Sequence, residues 1–280
     1  MHKSLHKYAL VFLAPVLLCF TVSFVAPFIY GIVLSFAKFT TVTNLTWVGF
    51  RNYAAAFANA DFLNALRFST LFTIVSVVVI NVCAFALALL LTTGTRGTNV
   101  YRTLIFMPNL IGGIVLGYIW QFIINGVLGI AGTTINVNAA YGFWGLVVLS
   151  SWQFIGYMMI IYIAGLQNIS TEVLEAAKID GAGPWTILTR IKVPLVMPSI
   201  TITMFMTIAN SFKMFDQNLA LTAGLPGKET VMVALDIYKT FYDRFGFEGV
   251  GQAKAMMFFL IVVGITLFQL GITRKREVEN

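Results

Sequence analysis

Apolar runs long enough to cross a bilayer recur six times along this chain, which constrains its fold more than any other feature. A transmembrane helix needs about 20 residues, because a rise of ~1.5 Å per residue must cover ~30 Å of hydrocarbon. Runs near 9–37, 64–92, 103–124, 141–166, 198–222 and 252–272 meet that length. Charged residues make up only 10% of the sequence, against roughly 25% in soluble domains. The expected class is therefore an all-α membrane protein with six transmembrane helices, forming one domain over 1–280.

The first run follows a basic start, MHKSLHKYAL, as a secretory signal would. It continues to about Ala37 and is too long for a cleaved apolar core, so a retained first span is expected; with Pro15 and Pro27 in so long a run, it is expected to be kinked or partly extramembrane. Cys19 and Cys83 lie inside apolar runs and read as packed residues, not as metal or disulfide partners. His2 and His6 stand beside Lys3 and Lys7 and read as a cationic terminus, so no metal ligand is expected. The net charge of +7 does not indicate nucleic acid, because the cations are spread between spans and not gathered on one face.

Those cations orient the chain. Alternate connections carry Lys3 and Lys7, Arg96 and Arg102, then Lys178, Arg190 and Lys192, then Arg274, Lys275 and Arg276. The other set holds Lys38, Arg51 and Arg67, nothing over 125–140, then Lys228, Lys239 and Arg244. The first set is richer, which places both termini and the 167–197 connection in the cytoplasm. The opposite side carries interfacial aromatics, Trp47, Phe50 and Tyr53. It also carries an amphipathic segment after the Pro226-Gly227 turn, suited to a soluble partner.

The 167–197 connection is built, not slack. Ser170 or Thr171 can cap a helix whose first turns hold Glu172 and Glu175. Asp180 and Gly181 end it, with Gly181 supplying the left-handed conformation. Gly183 and Pro184 start another helix, which Pro194 ends before Pro198 opens the fifth span. Small residues at Ala176, Ala177, Gly181 and Ala182 permit close approach by another backbone. A connecting surface loop is the plainer reading; two capped helices across a Gly-Ala-Gly corner favour a docking knob.

EAAKIDGAG followed by IKVPLVMPSI resembles the EAA loop of membrane subunits of binding-protein-dependent ABC importers, with Glu175, Ala176, Ala177, Gly181, Ile191 and Pro194 on the pattern. YALVFLAPVLL, VGFRNY, YRTLIFMPNL and LTAGLPG extend the resemblance over most of the chain. It is similar in particular to carbohydrate-importer permeases of the type of the larger maltose-importer subunit. The resemblance implies the type I importer permease fold, with Glu175, Ala176, Ala177, Asp180, Gly181 and Pro194 coupling the chain to a separate ATPase. It also implies cavity-facing positions at Asn109, Gly113, Ser150, Gln153, Phe154, Tyr157, Thr207, Asn210, Ser211 and Met214. Most of these differ in type from the family's residues, so the location carries over and the ligand does not.

Polar groups at membrane depth are costly and usually face a cavity; Asn109, Gln121, Ser150, Gln153, Tyr157, Asn210, Ser211, Lys213 and Asp216 are such groups. Interhelical bonding is the alternative for each. Asn81 reads as helix glue, and the Lys213–Asp216 pair as structural or gating. No GxxxxGK[ST] phosphate loop is present, so ATP and Mg2+ are expected on partner subunits and no cofactor on this chain. The expected function is import of a di- or oligosaccharide or polyol across a bacterial cytoplasmic membrane. The expected partners are a second homologous permease, two ATPase subunits and an extracytoplasmic binding protein. A permease for a glycerophosphodiester is the alternative. An ion-driven carrier would call for paired intramembrane acids or inverted repeats, and an enzyme for a nucleophile with a base; neither constellation is seen.

Overall fold

The computed structural model describes residues 12–41, 43–93 and 97–276. Lys3, Lys7, His2, His6 and Arg96 lie outside the described residues. The helices are α1 (Phe12–Ser35), α2 (Arg51–Phe57), α3 (Ala60–Leu91), α4 (Thr98–Leu110, closing in a 3-10 turn), α5 (Gly113–Gly129) and α6 (Ala139–Gln167). They continue as α7 (Thr171–Ile179), α8 (Pro184–Leu195), α9 (Met197–Phe212), α10 (Asp216–Leu221), α11 (Val233–Tyr242) and α12 (Glu248–Thr273). Among the described residues a single hairpin pairs β1 (Ala37–Phe39) with β2 (Leu45–Trp47), antiparallel, with Lys38 opposite Thr46. Among the described residues four helices (α1, α3, α6 and α12) are each long and apolar enough to span a membrane. Two bent pairs, α4 with α5 at 101° and α8 with α9 at 69°, bring the number of spans to six if each pair counts as one.

The described chain divides into two compact units. One holds residues up to Phe62 together with Ile237–Phe259. There Asn52 fastens α2 by donating to the carbonyls of Ser35 and Ala37, each at 2.9 Å. A Cβ at Gly249 would meet the Ala37 carbonyl, so α12 approaches that strand at backbone distance. Lys254 is fully buried; its ammonium donates to Thr240 at 2.9 Å and lies 5.2 Å from the Phe62 ring centroid. Arg244 and Asp61 form an ion pair at 3.1 Å.

The other unit holds Leu63–Asp236 with Leu260–Asn280, and α6 is its axis. Fourteen residues of α6 are buried. They contribute to two apolar clusters, one around Ile80, Met158, Met159 and Tyr162, the other around Phe72, Leu116, Leu146 and Leu149. Gly156 explains how α4 comes so close. A Cβ there would strike the Ile105 carbonyl and stand 2.8 Å from the Phe106 Cα. Small residues let helices approach where apolar burial gives no drive inside lipid.

Two prolines are accommodated inside helices that continue past them. α1 runs through Pro27 without ending, by opening a π turn at Thr21–Val25 in which Ala26 N–H reaches back to Thr21. α8 does the same at Ile187–Lys192, where Val193 N–H reaches Leu188. Each wide turn closes two residues before a proline, where the ring would crowd an ordinary α-helical carbonyl and donate nothing to it. Pro194 therefore sits inside α8, and the chain turns at Val196 instead. Pro198 does lie in the first turn of the helix that follows.

Candidate coupling helix and solute site

α7 is closed at both ends. The Ser170 hydroxyl accepts from Val173 N–H at 3.4 Å, with Glu172 in the first turn and Lys178 in the last. At the far end Ala182 N–H bonds the Ala177 carbonyl at 2.9 Å and Gly181 N–H bonds Lys178 at 3.1 Å, a Schellman pair. Gly181 has φ +80° with nothing within 4 Å of an added Cβ, so conformation and not space favours glycine there. Gly183 then caps α8, whose first turn holds Pro184.

Of the predicted coupling residues, Glu175, Ala176, Asp180 and Gly181 are exposed and Ala177 is half-buried. Pro194 is separated from them, in the body of α8. Glu175 and Ile179 are four apart and share one face; Ile179 is 86% exposed, and Trp185 just beyond it 74%. An exposed isoleucine and tryptophan beside a capped helix form an apolar contact surface. Sequence reasoning passed over both, although large apolar residues among charges were the available signal.

The predicted solute residues separate into groups. Gly113, at the start of α5, abuts α10: a Cβ there would stand 2.8 Å from Asp216 Cβ and 3.0 Å from Gln217 Cδ. Gln153 on α6 meets the same place. Its amide donates to the Ile111 carbonyl at 3.3 Å, and its carbonyl oxygen accepts from Gln217 at 2.8 Å. Ile111 is where α4 breaks from α5, so Gln153 satisfies a carbonyl that the break releases. Gln217 was missed because the apolar run 198–222 reads as one span. The structure makes it two helices, α9 and α10, separated at Lys213–Phe215.

Asn109 lies half-buried on the 3-10 turn of α4. Ser150 is buried and donates to Val147 at 3.1 Å. Phe154 packs at the edge of both apolar clusters, and Tyr157 lies 6.3 Å from the Phe106 ring. Thr207 is buried and donates to the Thr203 carbonyl at 2.7 Å. It also accepts from Asn81 at 3.3 Å, while Tyr162 donates to Asn81 at 2.8 Å and accepts from Thr203 at 2.7 Å. These bonds tie α3, α6 and α9 together, so Asn81 acts as helix glue and draws Thr207 into the tie. Asn210 is half-buried; Ser211 and Met214 are buried at the end of α9, Met214 against Phe72 and Leu116. Lys213 is exposed at the C-cap of α9 and Asp216 opens α10.

One more polar knot was unforeseen. Asn218 is fully buried, donates to Thr222 at 3.0 Å and Thr230 at 2.8 Å, and accepts from Met232 N–H at 2.9 Å. It clasps the LTAGLPG turn onto α10. Gln121 donates to Leu221 at 2.9 Å and anchors the other side of that helix.

Residues 86–277 match the family described as the inner membrane component of binding-protein-dependent transport systems. A probable starch degradation products transport system permease of Thermoanaerobacterium thermosulfurigenes is 42% identical, over 96% of this chain and 94% of its own. An sn-glycerol-3-phosphate transport system permease of Rhizobium meliloti is 30% identical over 82% of each. Among solved structures, a chain of a bacterial ABC transporter involved in import of the acidic polysaccharide alginate superposes with TM-score 0.81, covering 98% of both chains at 18% identity. At that identity the likeness is one of fold.

Proposed function

Since the chain belongs to the family of inner membrane components of binding-protein-dependent transport systems, we propose that it carries a di- or oligosaccharide, or a related polyol, through the bacterial cytoplasmic membrane. It is a transport subunit of an ABC importer, not an enzyme. The observation that carries the coupling role is α7 itself: a helix sealed at both ends, with Glu175, Ala176 and Ile179 turned outward. In this reading two ATPase subunits hold ATP and Mg2+, and one of them seats on α7. A second, homologous permease completes the pore, and a binding protein delivers solute from outside. Both termini lie in the cytoplasm. ATP binding closes the ATPases and moves α7; hydrolysis resets it.

The solute is met by Gln153 and Gln217 beside the α4–α5 break, with Asn109, Tyr157, Asn210 and Ser211 nearby in sequence or span. Planar amides and aromatic faces suit a sugar. The sugar class rests on the 42% identity to a permease named for starch degradation products. The glycerol phosphate permease among its relatives favours a second reading, a phosphorylated polyol. The two are separated by reconstituting the importer with its binding protein and measuring solute-stimulated ATP hydrolysis. Maltooligosaccharide should stimulate and sn-glycerol-3-phosphate should not; the reverse result overturns the sugar. Glu175→Ala should abolish stimulation for either solute and weaken ATPase co-purification; unaltered coupling would remove α7 from that role.

A further inference from the structure

A cleft of about 630 Å3 opens beneath the coupling helix. Ala86, Leu89 and Leu90 of α3 wall one side, with Thr93 just past its end, and Pro184, Ile187 and Leu188 of α8 wall another. Leu174 and Lys178 of α7 and Lys192 of α8 complete it. We propose that this cleft is a binding site for one anionic phospholipid of the surrounding membrane.

Three observations select that occupant. The first is depth. The lining of α3 is its last apolar turn before Thr92 and Thr93, where a membrane-spanning helix leaves hydrocarbon for the headgroup layer. Leu90 is 63% exposed there, an open wall for an acyl chain. The second is charge. Two lysines from different helices converge on the lining, no acidic residue contributes to it, and neither lysine has an ion-pair or hydrogen-bond partner among the described residues. Apolar walls with two ammonium groups fit an acyl chain below a phosphate better than a neutral lipid. The third is the division of α7. Leu174 and Lys178, four apart, line the cleft, whereas Glu175 and Ile179, one position on from each, are exposed outside its lining. A lipid in the cleft therefore leaves Glu175 and Ile179 uncovered by the cleft lining. The lipid wedges α7 and α8 against α3, which makes headgroup charge an input to coupling.

The proposal rests on α3 crossing the bilayer, and retention of lipid can be read without transport. The importer, assembled with its partner subunits, is placed in phosphatidylcholine nanodiscs containing phosphatidylglycerol, and lipid kept after detergent exchange is counted by native mass spectrometry. The unmodified importer should keep one more phosphatidylglycerol per copy of this chain than Lys178→Gln/Lys192→Gln. Two lysines near a membrane surface correspond to retention about 30-fold weaker in that variant. Lys178→Arg/Lys192→Arg should keep the lipid, and Ala86→Phe, which fills the apolar floor and spares the charges, should lose it. Equal retention by the unmodified and glutamine forms, equal retention of phosphatidylcholine, retention by Ala86→Phe, or an assembled importer without the lipid would each overturn the site.

Discussion

α1 and α6 are both apolar helices of spanning length, yet they use that character in opposite ways. In its most apolar stretch α1 buries nothing, while 61% of the corresponding stretch of α6 is buried. α1 exposes Phe12, Val16, Leu17, Phe20 and Phe24, the last two stacked with centroids 5.4 Å apart. Lipid tails are as apolar as leucine, so a helix like this needs no protein cover. α6 instead carries glycines and a buried hydroxyl: Gly142, Gly145 and Gly156 where neighbours come close, and Tyr162 where they bond. Apolarity thus places a helix in the membrane, and small or polar residues decide which helices form the packed interior.

Substitutions graded along this contrast can break it. Gly156→Ala should be the most damaging, because the obstacle is the Ile105 backbone carbonyl and cannot swing aside; a loss of about 3 kcal/mol is expected, read as a collapse of folded yield and thermal stability in detergent. Tyr162→Phe removes the hydroxyl shared by Asn81 and Thr203 and should cost about 1.5 kcal/mol. Wild-type melting in that variant would show that the tie between α3, α6 and α9 is held by packing alone. Gly145→Ala should cost about 1 kcal/mol, since the nearest atoms are side-chain ends of Ile135 and Ile124 that can turn away. Leu17→Ala on α1 should change stability by less than about 0.5 kcal/mol. A large effect there would mean that α1 is covered by protein and not by lipid.

The sequence was legible where one physical rule dominated. Length and apolarity placed the runs 64–92 and 141–166 within a few residues of α3 and α6. Capping chemistry placed both ends of α7, because Ser170, Asp180 and Gly181 act on bonds within their own turn. What escaped depended on residues far apart. The α4–α5 break follows Pro108 and falls at Ile111–Gly112, but an unbroken apolar run concealed it, and its carbonyl is satisfied from Gln153, 42 residues away. The end of α9 at Phe212 carries neither glycine nor proline, so nothing local marked it, and Gln217 and Asn218 stayed hidden inside a supposed span. α10 lies against Gly113, where a Cβ would stand 2.8 Å from Asp216 Cβ. Pro194 marked the fold but not the turn, since a π turn upstream let the helix pass through it.

The sealed ends of α7 have a mechanical consequence. An isolated helix of nine residues is too short to hold itself together in water, and a push on a fraying segment would be lost as unwinding. Here the hydroxyl of Ser170 and the paired bonds at Gly181 and Ala182 leave no loose turn at either end to peel. Under the proposed docking, a displacement applied at Glu175 would reach the neighbouring helices as movement of a whole body, so what this short helix would supply is stiffness.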